Sequence, residues 1–229
     1  MDISTAARAA MLAGAVLLSS QVQALEPYQA TYGANFKIGV SLSGKLVRTL
    51  TRNGDGTWTM NDNISASVAT IKEKSHFKLA GDDFQTLNYS YYEKKLFKKR
   101  SNKISFDWNA MKATNSAGKT FAIKPQTLDS LNYQLKLQQD LQRGVRGKFS
   151  YQYVKKDKLD NIAFIELGQE QIKTPSGTVN AIKLQRDRGA NAKRVTYIWL
   201  DPANNFIITK LQQTEPDGKS YSLVLEKLH

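Results

Sequence analysis

The chain has 229 residues, with 33 Lys and Arg against 20 Asp and Glu and a formal charge of +13 at neutral pH. It has no cysteine, which excludes disulfides, thiol catalysis and thiolate metal sites, and its two histidines are too few for a zinc centre. So large a positive excess favours anionic surfaces such as lipid head groups, lipopolysaccharide phosphates, acidic glycans or nucleic acid, or else serves solubility alone.

Residues 1–24 read as a signal peptide. Arg8 precedes the apolar run Ala9–Leu18, and Val22-Gln23-Ala24 is a small-residue cleavage signal. The run is about half of the ~20 residues that a membrane-spanning helix needs. Cleavage after Ala24 is therefore expected, leaving 205 residues in one extracytoplasmic domain, 25–229. Export makes nucleic acid the least expected partner, and none is assigned.

From Tyr28 onward the sequence alternates. Tyr28, Ala30, Tyr32, Ala34, Phe36 and Ile38 alternate with Gln29, Thr31, Gly33, Asn35 and Lys37, the period of a strand with one buried and one wet face. Asn53-Gly54-Asp55-Gly56 marks a hairpin turn. Alternation resumes with Trp58, Met60, Ile64, Ala66 and Val68, and again with Ile71, Phe77 and Leu79 against Lys72, Lys74, His76 and Lys78. Wet-faced strands of this kind belong to antiparallel sheets. About a dozen strands are expected between residues 28 and 227.

One hairpin is crowded with cations: Lys94, Lys95, Lys98, Lys99, Arg100 and Lys103, interleaved with Tyr89, Tyr91, Tyr92 and Phe97. A second basic cluster, Lys155, Lys156 and Lys158, sits at a later turn. Such a hairpin suits an anionic membrane surface, and equally an edge protected from strand addition. Between the two clusters, Thr127–Arg143 lacks Gly and Pro and reads as the one helix. Thr127 or Asp129 can cap its start, and Gly144 can take the left-handed closing position. Leu128, Leu131 and Leu135 form one apolar stripe, and Tyr133, Leu137 and Leu141 form another on the opposite side. A helix with two apolar faces is expected between surfaces, inside a curved sheet.

Several segments follow one another in an order that resembles a known family: Tyr28-Gln29-Ala30-Thr31-Tyr32, Ser105-Phe106-Asp107-Trp108-Asn109, Asp129-Ser130-Leu131-Asn132-Tyr133, Gly168-Gln169-Glu170, Thr174-Pro175-Ser176-Gly177 and Trp199-Leu200-Asp201. That family is the exported Gram-negative domain of unknown function 3108. The resemblance spans nearly the whole mature domain. It implies a periplasmic location and a curved, largely antiparallel sheet around a helix, similar to the open half-barrels of periplasmic lipoprotein carriers. It implies no activity, and a step from that shape to lipid handling is analogy of fold.

The expected fold is thus mainly β: a strongly curved antiparallel sheet, an open or half barrel, with one long helix on its concave side. The apolar concavity, with Tyr32, Phe36, Trp58, Phe77, Trp108 and Phe149 as its aromatic lining, is the candidate ligand site, and either a ligand or the helix fills it. Lys94, Lys95, Lys98, Lys99, Arg100 and Lys103 are the candidate contacts to an anionic surface. The leading function is a non-catalytic periplasmic protein that binds a lipid or lipopolysaccharide-like amphiphile or assists envelope assembly. An interaction scaffold docking an anionic partner or glycan through basic loops is the alternative. A hydrolase using carboxylates such as Asp82 and Asp83, or Glu166 and Glu170, comes third. No cofactor or metal is expected.

Overall fold

The computed structural model describes residues 25–37, 39–67, 69–95 and 98–229. The expected signal peptide, together with Ile38, Val68, Leu96 and Phe97, lies outside them. The alternating segments form fourteen strands: β1 Tyr28–Lys37, β2 Ser41–Arg52, β3 Trp58–Ala66, β4 Ala69–Ala80, β5 Asp83–Lys95, β6 Lys98–Asp107, β7 Lys112–Asn115, β8 Thr120–Ala122, β9 Lys148–Lys155, β10 Lys158–Thr174, β11 Gly177–Asp187, β12 Val195–Asp201, β13 Ile207–Thr214 and β14 Ser220–Leu228. One helix, α1 Asn132–Gln142, lies between β8 and β9.

All fourteen strands belong to a single antiparallel sheet in the order β8-β7-β6-β5-β4-β3-β2-β1-β14-β13-β12-β11-β10-β9. Every neighbour but one is a hairpin partner in sequence. The exception is β1 with β14, which joins the two ends of the domain in the middle of the sheet. The free edges are β8 and β9, and the segment carrying α1 runs from one to the other. The sheet is therefore curved but not closed. Side chains span the gap: Lys119 pairs with Asp157 at 2.8 Å, and the Asn102 amide donates to the Lys156 carbonyl at 3.0 Å. The β9 edge is further covered where Leu128 forms a parallel bridge with Tyr153, a device that hides unpaired backbone groups.

Both stripes of the helix are buried. Leu128, Leu131, Leu135, Leu137 and Leu141 are each 3% exposed or less, and they share one core with Met60, Phe77, Ile104, Phe149, Phe164 and Leu184 from both halves of the sheet. Each fully buried leucine contributes on the order of 2 kcal/mol by area. The middle of the concavity is thus filled by its own helix.

The helix starts five residues later than its composition suggests, and Asp129 is the reason. Its Oδ1 accepts the N–H groups of Leu131 (2.7 Å) and Asn132 (2.9 Å), fixing a turn ahead of the first helical residue. Its Oδ2 accepts the hydroxyls of Ser75 (2.5 Å) and Thr86 (2.7 Å), which fastens that turn to β4 and β5. Burial raises the Asp129 carboxyl above the ordinary range, opposed by these four donors. The other end closes as expected. Gly144 takes φ +82°, and the Val145 N–H reaches the Asp140 carbonyl at 2.9 Å, with Gly144 bonded to Leu141 at 3.1 Å.

The convex face carries a small core of its own. The long β10–β11 hairpin folds back so that the Ser176 hydroxyl reaches the Glu226 carbonyl of β14 at 3.4 Å. Beneath it Trp199 is 2% exposed, with the ammonium groups of Lys210 and Lys183 at 4.5 and 5.1 Å from its ring centroid.

Asp129→Ala is expected to lower unfolding free energy by about 3 kcal/mol or more, since four donors lose their acceptor and none is near water. Asp107→Ala removes a similar turn bond from an exposed site, where the carboxylate accepts from Asn109 and Ala110, and is expected to cost under about 1 kcal/mol. Urea denaturation of both variants checks the contrast.

Candidate functional site

Where the C-terminal half of α1 meets the strand ends, the concavity opens into a cleft of about 1030 Å³. That volume is at the upper end of the range of small-molecule sites. Leu25, Tyr28, Trp58, Phe84, Leu135 and Ile207 supply its apolar wall, and Gln138, Gln139 and Gln142 present one face of the helix to it. Arg52, Asp82 and His229 stand at its rim. The walls are tied together at the mouth. Arg143 at the helix end forms an ion pair with Asp82 in the β4–β5 turn, and Gln142 donates to the Asn205 carbonyl at 3.2 Å. Asn205 and the neighbouring Phe206 hold φ of +51° and +55°, a left-handed pair at the entry to β13.

Next to this cleft the concave face is polar. Register places Arg48 opposite Asp62, Asp62 opposite Glu73, Glu73 opposite Tyr91 and Tyr91 opposite Asn102, a continuous row across β2 to β6. Arg48 is 4% exposed and donates to both carboxylate oxygens of Asp62, at 2.7 and 2.6 Å, and the terminal nitrogen that makes the second of these bonds also donates to Gln134 Oε1 of α1 at 2.9 Å. The Tyr89 hydroxyl donates to Glu73 at 2.9 Å. Burial, with the charge of Asp62 second, pushes the Glu73 carboxyl up to about 7. The Tyr28 and Tyr32 hydroxyls and the Gln138 amide nitrogen are buried without a hydrogen-bond partner among the described residues. Burial raises both hydroxyls, with the Arg48 guanidinium opposing it.

The six aromatic residues proposed as a lining do not form one surface. Phe77 packs on Phe84 at 5.6 Å, and Phe149 lies in the core against the helix leucines. Trp108 is stacked on Phe106 and donates its indole N–H to the Thr86 carbonyl at 2.7 Å. Tyr32 belongs to a separate cluster with Ala30, Leu46 and Leu225. Phe36 is half-buried at the far end of β1, edge-on to Tyr221. Of the six, Trp58 alone borders the cleft.

The six cations are all exposed, but the pleat divides them. Lys95, Lys98 and Arg100 share the concave face with Tyr89 and Ile104, whereas Lys94, Lys99 and Lys103 face outward. Lys95 is paired with Glu93 at 2.5 Å. The Asn102–Lys156 bond brings the second basic cluster, at the β9–β10 turn, to the same end of the sheet. That end lies opposite the cleft.

Arg48, Asp62 and Glu73 were missed as a group by sequence reading. The signal was present: each stands in the apolar register of its strand, Arg48 between Leu46 and Leu50, Asp62 between Met60 and Ile64. A charge on the buried face of an alternating strand needs a partner, and neighbouring strands supply it. Of the acids singled out from the sequence, Asp82 pairs with Arg143, Glu170 with Lys183 at 2.7 Å, and Glu166 accepts the Gly147 N–H at 2.9 Å. His76 bonds Thr57 at 2.9 Å on the convex side. Among the described residues no group of three or more His, Asp or Glu gathers as metal ligands.

The Glu73 carboxyl titrates higher in the folded chain than in the unfolded one, so the fold favours its protonated form. Its contribution is present in full below the ordinary carboxylate range and is lost as pH rises through about 7. Glu73→Gln is expected to flatten the fall in stability between pH 5 and 8 and to raise stability at pH 8 by about 2 kcal/mol. Denaturation at several pH values in both proteins measures it, and an unchanged pH profile contradicts it.

Comparison with known proteins agrees with the sheet. The chain is similar to the crystal structure of a β-barrel-like protein of domain of unknown function DUF1849 from Brucella abortus, with a TM-score of 0.60, 14% identity, and coverage of 89% of this chain and 97% of that one. It also matches a candidate exported protein with a YmcC-like fold from Bacteroides fragilis, with a TM-score of 0.34, 15% identity, and coverage of 90% and 96%. No curated protein matches. The profile of the family described as "Protein of unknown function (DUF3108)" matches residues 28–226, from the first strand to the last, and the chain belongs to that family.

Proposed function

We propose that this protein is a non-catalytic, exported binder of an amphiphile, acting in the periplasm on a cell-envelope lipid. The observation that supports it most is the cleft of about 1030 Å³ between α1 and the strand ends, whose lining mixes apolar side chains with the helix glutamines and charged groups. An acyl chain laid against Trp58, Phe84, Leu135 and Ile207 would gain about 25 cal/mol per Å² of apolar surface removed from water. The glutamine face of α1 and the Arg52 side chain would meet its polar part. The basic end, remote from the cleft, would approach an anionic membrane, each cation near the surface contributing ~1 kcal/mol.

The scaffold reading rests on the basic end alone and leaves the cleft without a use. The hydrolase reading would fall on Glu73, whose carboxyl is pushed up to about 7 by burial. Its neighbour Asp62 is held in both oxygens by Arg48, and neither residue lines the cleft. A pair of free carboxylates is what glycoside hydrolysis needs.

Native mass spectrometry on protein released from the periplasm is expected to show a lipid-sized adduct. Gln139→Trp, which fills the cleft from a half-buried helix position, is expected to abolish the adduct with little change in thermal midpoint. A wild-type protein without adduct, or an adduct undiminished by Gln139→Trp, contradicts the proposal.

A further inference from the structure

At the basic end the concave face holds a group of arginines whose charge is not matched. Arg186 stands opposite Phe164 of β10, and Phe164 is 1% exposed in the main core, so Arg186 projects into the concavity. Arg188 follows two residues later, close enough to Arg186 for their charges to repel. Both are half-buried. The Nε of Arg186 and one terminal nitrogen of Arg188 are buried without a hydrogen-bond partner among the described residues.

The acids nearby are committed elsewhere. Glu215 accepts Arg194 at 2.6 Å through one oxygen and the Gln213 amide at 2.6 Å through the other. Asp187 faces the opposite side of β11, where it accepts the Gly189 N–H at 2.9 Å and pairs with Lys148 at 3.5 Å. Beside the two arginines lies Tyr133 of α1, stacked on Phe164 at 6.2 Å and edge-on to Tyr153 at 5.7 Å. Burial and the charges of Arg186 and Arg194 together pull Arg188 down to about 10.

Unpaired guanidinium donors in a half-buried site cost stability unless something accepts from them. Two half-buried guanidinium groups whose charges repel each other, with Tyr133 close by, suit the oxygens of a tetrahedral anion. We propose that Arg186 and Arg188 form a binding site for an oxyanion of the phosphate class, at the end of the half-barrel opposite the cleft. The site owes nothing to the apolar cleft and stands or falls separately from it.

The probe is inorganic phosphate, with chloride at matched ionic strength as reference. The thermal midpoint of the wild-type protein is expected to rise with phosphate beyond the chloride control. Arg186→Gln/Arg188→Gln is expected to lose that excess, with phosphate affinity weakened about tenfold or more. Lys72→Ser/Lys78→Ser removes the same charge from the exposed outward face of β4 and is expected to keep it. The Arg186 Nε–H resonance of the wild-type protein, followed during phosphate titration, gives a readout that needs no variant and is expected to shift. Vesicles of phosphatidylcholine with and without phosphatidic acid separate the sources. Binding to phosphatidic acid that is lost in the arginine variant assigns a lipid head group, and its absence alongside a phosphate response assigns a free anion. A phosphate effect no larger than chloride's, one that survives in the arginine variant, or an unmoved Arg186 resonance overturns the site.

Discussion

The burial of α1 on both of its apolar faces is the constraint on which the rest of this molecule depends. A fourteen-stranded meander has two free edges, and here the chain crosses from one to the other through the concavity instead of around it. Asp129 makes that route possible. Its carboxylate joins the first turn of the helix to hydroxyls on β4 and β5, so a buried charge is compensated on both oxygens. Once the helix is anchored there, its leucines occupy the middle of the half-barrel. The cleft of about 1030 Å³ lies where the helix side chains become glutamines.

This arrangement separates the molecule into two chemically different ends. At one, Gln138, Gln139 and Gln142 face a cleft that the strands line with Trp58, Phe84, Ile207 and Arg52. At the other, the turns collect Lys94 to Lys103, Lys155 to Lys158, and the Arg186–Arg188 pair. Between them runs the Arg48–Asp62–Glu73 row, in which one ion pair is satisfied and one carboxyl is held toward its neutral form. An extended ligand running through the middle of the interior would meet the helix leucines.

Much of this was legible in the sequence. The period-two runs gave the strands, and Gly144 marked the helix end, because such signals are local. The helix starts after Asp129, which accepts the N–H groups of Leu131 and Asn132 as a capping residue would, while its bonds to Ser75 and Thr86, distant in sequence, had no local signal. The short strands β7 and β8, of four and three residues, carry little alternation. Phe77 and Phe149 lie in the core with the helix leucines and Trp108 packs against it, and which part of that face is open depends on how far α1 reaches. The lysine hairpin looked like one patch because its members are adjacent in sequence. The pleat sends half of them to each side, which alternation alone could have told.

The most direct test of the account is quenching of tryptophan fluorescence by an acyl chain brominated near its middle, in single-tryptophan proteins that retain Trp58 or Trp108. Trp58 borders the cleft, whereas Trp108 is packed on Phe106 beyond it. Saturable quenching of Trp58 with Trp108 unaffected is the expected result. Quenching of Trp108 to the same degree, or of neither, would mean that the helix does not partition the interior as described.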